Sequence, residues 1–115
     1  MANKLNREWA SSNVRAHAIT QYYDAAQTDF VRILKGQGFT PSEIGTHAGL
    51  NDTSLMLALD PSLVREDRLS NGSKFGTADG VYGDPSKASA RLGILGVDAI
   101  VCQPVAAIKS AVSRR

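Results

Sequence analysis

This chain has a single cysteine, four prolines in 115 residues and aromatic side chains at only 6% of its positions. One thiol, Cys102, excludes an internal disulfide and any zinc site built on cysteine pairs. Its apolar neighbours make it an expected buried, inert thiol rather than a nucleophile. No uninterrupted run of about 18 apolar residues occurs, so no membrane span is expected. The start, Met1-Ala2-Asn3-Lys4, lacks the apolar stretch of a secretory signal. Excess charge of one sign is missing too: 13 Lys and Arg against 11 Asp and Glu leave +2. Apart from Arg114-Arg115 the basic residues are scattered, which offers neither a nucleic-acid nor a membrane surface. A cytoplasmic setting is the expectation.

What is present reads as globular: 43% hydrophobic and 21% charged residues in a length of one domain or less. Leu5 to Trp9 suits the tail of a helix, ended at Ser11-Ser12-Asn13. Val14 to Thr20 alternates weakly and predicts one strand, with Gln21-Tyr22-Tyr23-Asp24 as its polar and aromatic outlet. A short helix is expected from Gln27 to Leu34, stopped by Gly36 and Gly38. Thr40-Pro41-Ser42-Glu43 carries a helix start in which Thr caps, Pro opens and Glu reaches back. Only one turn fits before Gly45.

Asp52 to Leu59 predicts a compact helix, with Asp52 or Asn51 accepting its first amides and Leu55, Met56 and Leu59 sharing a face. Leu63 to Val81 reads as a long polar connection. Gly80, Gly83 and Asp84 have no apolar strand before them, so they read as a turn and a cap rather than a phosphate loop. From Asp84-Pro85 a long helix is expected. Ala88, Leu92, Leu95, Ala99, Cys102 and Ala106 make one buried face, broadened by Ile94, Val97, Val101, Val105 and Ile108. Pro104 predicts a kink or a break near Ile100 to Pro104. One strand cannot make a sheet, so the pattern suggests a fragment or an obligate assembly.

The stretch Gly45-Thr46-His47-Ala48-Gly49-Leu50-Asn51-Asp52-Thr53-Ser54-Leu55-Met56-Leu57 resembles the His-Gly/Ala-Gly-x-x-Glu-Thr-Ser-x-Met-Leu segment of the creatininase family. Leu59-Asp60-Pro61-Ser62-Leu63-Val64 is similar to its Leu-x-Pro-x-Leu-Val segment. Gly80-Val81-Tyr82-Gly83-Asp84-Pro85-Ser86-Lys87-Ala88-Ser89 is similar to its Gly-x-x-Gly-Asp-Pro-x-x-Ala-Ser stretch, and all three occur in the family's order.

The resemblance implies a metal-dependent amidohydrolase that cleaves the C–N bond of a small amide or cyclic amide, with two divalent metals (Zn, Mn or Fe). It implies a fold class of α/β: this chain is expected to be the helix-rich C-terminal fragment of a three-layer α/β/α sandwich, one partial domain over 1–115. The family's metal ligands come from an early Glu-x-His segment, a following Asp and an Asn-Gly-His-x-x-Asn-like loop, and none of these is in the sequence. The chain alone is therefore expected to bind no metal and to be inactive. Its expected partners are copies of itself or a complementing N-terminal half; the alternative is a non-catalytic oligomerisation partner of a full-length paralogue.

The resemblance assigns His47 as the catalytic candidate, because collapse of a tetrahedral intermediate needs a proton for the leaving nitrogen and imidazole titrates near neutrality. Read without the family, His47 is a loop histidine bonded to backbone. Asp52 stands where most members carry Glu, and Thr46 where some carry an acid. Asp52, Tyr23 and Asp24 are the candidate substrate-binding residues. His17 reads as structural, and its combination with His47 and Asp52 is a poor metal set.

Overall fold

A computed structural model describes residues 1–70 and 74–113. Seven helices carry the fold: α1 (Ala2–Glu8), α2 (Gln21–Asp24), α3 (Phe30–Gly36), α4 (Pro41–Ile44), α5 (Leu50–Leu59), α6 (Glu66–Leu69) and α7 (Ala90–Ser113). A π-turn at Ala25–Asp29 joins α2 to α3 without a break, so the short helix expected from Gln27 begins six residues earlier. Single 3-10 turns occupy Pro61–Leu63, Thr77–Asp79 and Pro85–Lys87. The helix-rich part of the expectation holds.

The expected strand does not form. Residues 14–20 form no regular element, and among the described residues the only β-type pairing is an isolated antiparallel bridge between His47 and Tyr82. A strand needs a neighbour for its amides and carbonyls. Here side chains stand in for a neighbour: Asn6 gives Nδ2–H to the Ala16 carbonyl at 2.9 Å and accepts the Ala16 amide at 2.7 Å, and Ser12 Oγ accepts the Val14 amide at 3.2 Å. The described residues consequently do not show the layered sandwich.

The core is small: Phe30, Leu34, Ile44, Leu50 and Leu92 cluster, with Val31, Phe39, Leu55 and Ala88 packed around them. Its main contact is α5 against α7. Two glycines of α7 allow the helices to close. A Cβ at Gly93 would run into the Ser54 carbonyl, and one at Gly96 would lie 2.8 Å from the Phe30 ring and Leu55 Cδ2. The buried Ser54 hydroxyl accepts the Ser89 amide at 3.2 Å, and Ser89 Oγ in turn accepts the Leu92 amide at 3.3 Å, which caps α7.

Several expected faces are corrected by this packing. On α5 the buried side chains are Leu50, Asn51, Ser54 and Leu57; Met56 and Leu59 are exposed because α7 lies on the other side. α7 starts at Ala90, since Asp84 caps only the 3-10 turn after it, accepting the Ser86 amide at 2.9 Å. It then runs unbroken through Pro104, although that residue can give no amide to the Ile100 carbonyl. Cys102 is exposed, and so are Ile94, Val101, Val105, Ile108 and Val112; the buried residues of α7, Leu92, Gly93 and Gly96, all lie in its first two turns.

The consequence is an open shape. The radius of gyration is 18.0 Å, against about 13 Å for a compact chain of this length. The accessible surface is 7665 Å², against about 6100 Å² for a closed monomer of this mass. α7 is also long and apolar enough, by length and composition alone, to cross a bilayer, with a mean hydropathy of 1.6. Its first half is nevertheless committed to α5 through Leu92, Gly93 and Gly96.

Candidate functional site

His47 lies in the five-residue link between α4 and α5, and that link is fixed from four directions. At one end the expected cap is present: Thr40 Oγ1 accepts the Glu43 amide at 3.3 Å and Glu43 Oε2 accepts the Thr40 amide at 2.8 Å. Across the link, the Tyr82 amide donates to the His47 carbonyl at 2.8 Å, and the Tyr82 carbonyl accepts from Thr46 at 2.7 Å and from His47 at 3.4 Å. Underneath, three glycines meet. A Cβ on Gly83 would fall 2.7 Å from the Gly49 Cα and 2.9 Å from the Gly45 Cα, and one on Gly45 would overlap the Tyr82 carbonyl. The backbones can touch only because all three lack side chains.

The fourth restraint is Asp52. Its Oδ2 accepts the Ala48 amide at 2.9 Å, while Ala48 sits at φ +51°, the one non-glycine residue with positive φ among the described residues. That backbone costs an alanine about 1–2 kcal/mol. Thr53 Oγ1 adds a contact to the Ala48 carbonyl at 3.4 Å. Asn51, the other expected cap, takes no part: its amide oxygen is buried without a partner.

A second tie links this loop to the Gly83 turn. Lys87 Nζ meets Glu43 Oε1 at 2.6 Å, and the Asp84 amide donates to the Glu43 carbonyl at 2.9 Å. Its bond to Lys87, helped by the Thr40 amide and hydroxyl, lowers the Glu43 carboxyl to about 2. The same contact raises Lys87 above its ordinary value.

Beside the loop opens a cleft of about 600 Å³. His47, Ala48, Asp52 and Thr53 form one wall. Arg65, Arg68, Leu69 and Phe75 come from the connection after α5. The sequence motif thus brings His47 and Asp52 together in one cavity. It does not bring Tyr23 and Asp24 there: both are exposed on α2, a helical turn rather than a strand outlet, and neither lines the cleft. His17 is also exposed and lines a separate cleft with Arg15, Gln21 and Ala107. Arg65, Arg68 and Phe75 were missed because they sit in what reads as a polar connection. The signal that α6 docks on the Pro85–Lys87 turn is tertiary and leaves no spacing in the sequence.

A scan against protein families finds that the model for creatinine amidohydrolases, the creatininases, matches residues 1–108. The chain belongs to the creatininase family. A search of curated proteins and a search of solved structures returned no match.

Creatininase membership points to amidohydrolase-type chemistry and raises the question of metal. The residues described here do not fit a two-metal centre: no three His, Cys, Asp or Glu side chains among them converge. Of the cleft's two carboxylates, Asp52 is engaged by the Ala48 amide and Asp79 by the Gly76 amide at 3.0 Å. That leaves His47 as a single imidazole on a rigid, glycine-built loop. Such a group can orient a substrate or carry a proton.

Proposed function

We propose that this chain forms the substrate-side wall of a creatininase-type amidohydrolase acting on the C–N bond of a small amide or cyclic amide. The observation that carries the reading is the restraint of His47. Its backbone is bonded on both sides to Tyr82, its loop rests on the Gly45–Gly49–Gly83 contact, and its neighbour Ala48 is held at positive φ by Asp52. Strain kept in place this way is a mark of positioned functional groups. In the proposed role His47 gives a proton to the departing nitrogen, so that hydrolysis releases an amine and a carboxylate. Asp52 positions the loop.

The remainder of the site lies outside these 115 residues, and a metal-binding N-terminal half or a full-length paralogue is its proposed source. Support comes from the open shape and from a donor set too small for a metal pair. The test is co-expression with a creatininase-family chain of the same genome that carries the metal-binding segments. Amide hydrolysis should appear only in the co-purified complex and fall about 10²–10⁴-fold in His47→Gln. Equal activity of the complex with and without that substitution would contradict the role of His47.

A second reading treats the chain as a non-catalytic oligomerisation partner. It is favoured by the uncovered stripe on α7, where Val101, Val105, Ile108 and Val112 repeat at alternate four- and three-residue steps. Light scattering of Val105→Lys separates the two readings. A lower mass with hydrolysis retained in the complex would confine the stripe to assembly.

A further inference from the structure

We infer that the cleft beside His47 takes an amide that also carries a carboxylate, gripped by Arg65 and Arg68. The inference rests on the proposed amidohydrolase reading and adds the class of substrate. Its basis is the charge balance of the cavity. The lining holds four ionisable groups besides His47: Asp52, Asp79, Arg65 and Arg68. Both carboxylates already accept backbone amides. Neither guanidinium has a hydrogen bond or an ion pair among the described residues, where Lys4–Glu8, Arg32–Asp29 and Lys87–Glu43 are the salt bridges found. Glu66 and Asp67 lie in the same turn as Arg68, but they do not line the cleft and make no bridge within 4.0 Å of either arginine.

Two exposed cations thus border one cavity without a partner among the described residues. Arg65 immediately precedes α6 and Arg68 lies within it, three residues apart, and α6 is set against the Pro85–Lys87 turn that also bounds the His47 loop. Guanidinium groups recognise planar carboxylates through paired N–H donors better than any other side chain does. Apart from Thr53 the rest of the lining is apolar, with Met56, Leu63 and Phe75 available to the body of a ligand. The cavity of about 600 Å³ suits a small molecule rather than a chain segment. The ligand that meets all these conditions has an anionic end at Arg65 and Arg68, an apolar middle, and its amide toward His47.

The test uses hippurate, an aromatic amide with a carboxylate, and its neutral counterpart N-benzoylglycinamide. The full chain, isotope-labelled, is titrated with each and followed by NMR. Hippurate should shift His47, Ala48 and Phe75 resonances, and the neutral compound should bind about tenfold more weakly or worse. Arg65→Gln and Arg68→Gln should each weaken hippurate about tenfold, while Arg91→Gln, whose residue lies on α7 outside the cleft, should leave it unchanged. Unaltered amide spectra in the variants show that they remain folded. Equal binding of the two compounds, no binding of either, or insensitivity to both arginine substitutions would overturn the inference.

The failures of the two readings are distinguishable. Hippurate binding that depends on both arginines, in a chain whose complex hydrolyses nothing, would sink the amidohydrolase role and leave the anion grip. A complex that hydrolyses neutral and anionic amides equally well, with both arginines dispensable, would do the reverse.

Discussion

Asp52 Oδ2 holds the amide of Ala48 at 2.9 Å and thereby keeps an alanine at φ +51° directly after His47. One carboxylate secures both the entry to α5 and the direction of the loop that carries the imidazole.

Removal of that acceptor should free the loop. Asp52→Ala is expected to cost about 0.5–2 kcal/mol, the usual range for a lost helix-start acceptor, and Asp52→Asn less. Ala48→Gly should be within about 1 kcal/mol of wild type, since relief of the positive φ offsets the greater freedom of the unfolded glycine. Denaturant midpoints give the energies, and hydrogen exchange at the Ala48 amide reports the bond itself.

The three-glycine contact makes a sharper contrast. Gly83→Ala, at φ +155° with a Cβ 2.7 Å from the Gly49 Cα, should destabilise by about 1–3 kcal/mol or more. Gly93→Ala should do the same by prising α7 from Ser54. Gly36→Ala, with nothing within 4 Å and a helical position, should instead stabilise by about 0.5–1 kcal/mol. Thermal midpoints of the three variants on one buffer check the signs.

Acid should loosen the loop through Glu43. Its carboxyl titrates at about 2 in the fold against 4.5 as the ordinary value, so the folded state favours the ionised form. The pair with Lys87 and Thr40 therefore adds stability above pH 4.5, and that contribution disappears as pH falls from 4.5 toward 2. Lys87 is raised by the same contact, so the two shifts describe one interaction and are counted once. The thermal midpoint of wild type should fall over this window more steeply than that of Glu43→Gln. Parallel curves would show that the pair adds nothing.

Local chemistry made much of this site legible from sequence. The cap at Thr40 to Glu43, the turn at Gly80 and the placing of His47 and Asp52 on one cleft all depend on residues within a few positions of one another. The errors lie where distant packing decides. Residues 14–20 alternate as a strand should, yet no neighbouring strand is there to pair with them. Cys102 and Val105 carry a helical apolar pattern, but α5 is too short to cover them. Tyr23 and Asp24 lie on a helical turn and do not line the cleft. Arg65 and Arg68 stay exposed in the fold, and only the packing of α6 against the Pro85–Lys87 turn sets them beside the cleft. Part of the connection from Leu63 to Val81, at 71–73, lies outside the described residues.

The central claim is that these residues supply the His47 wall and that the metal centre lies outside them. Metal content and molar mass, measured together by elemental analysis and light scattering on protein purified without chelator, test it most directly. The account predicts less than one bound metal per chain and none retained after dialysis, whatever the mass. Two metals per chain in a defined particle made only of this polypeptide would contradict it, because the residues described here would then build the whole site themselves.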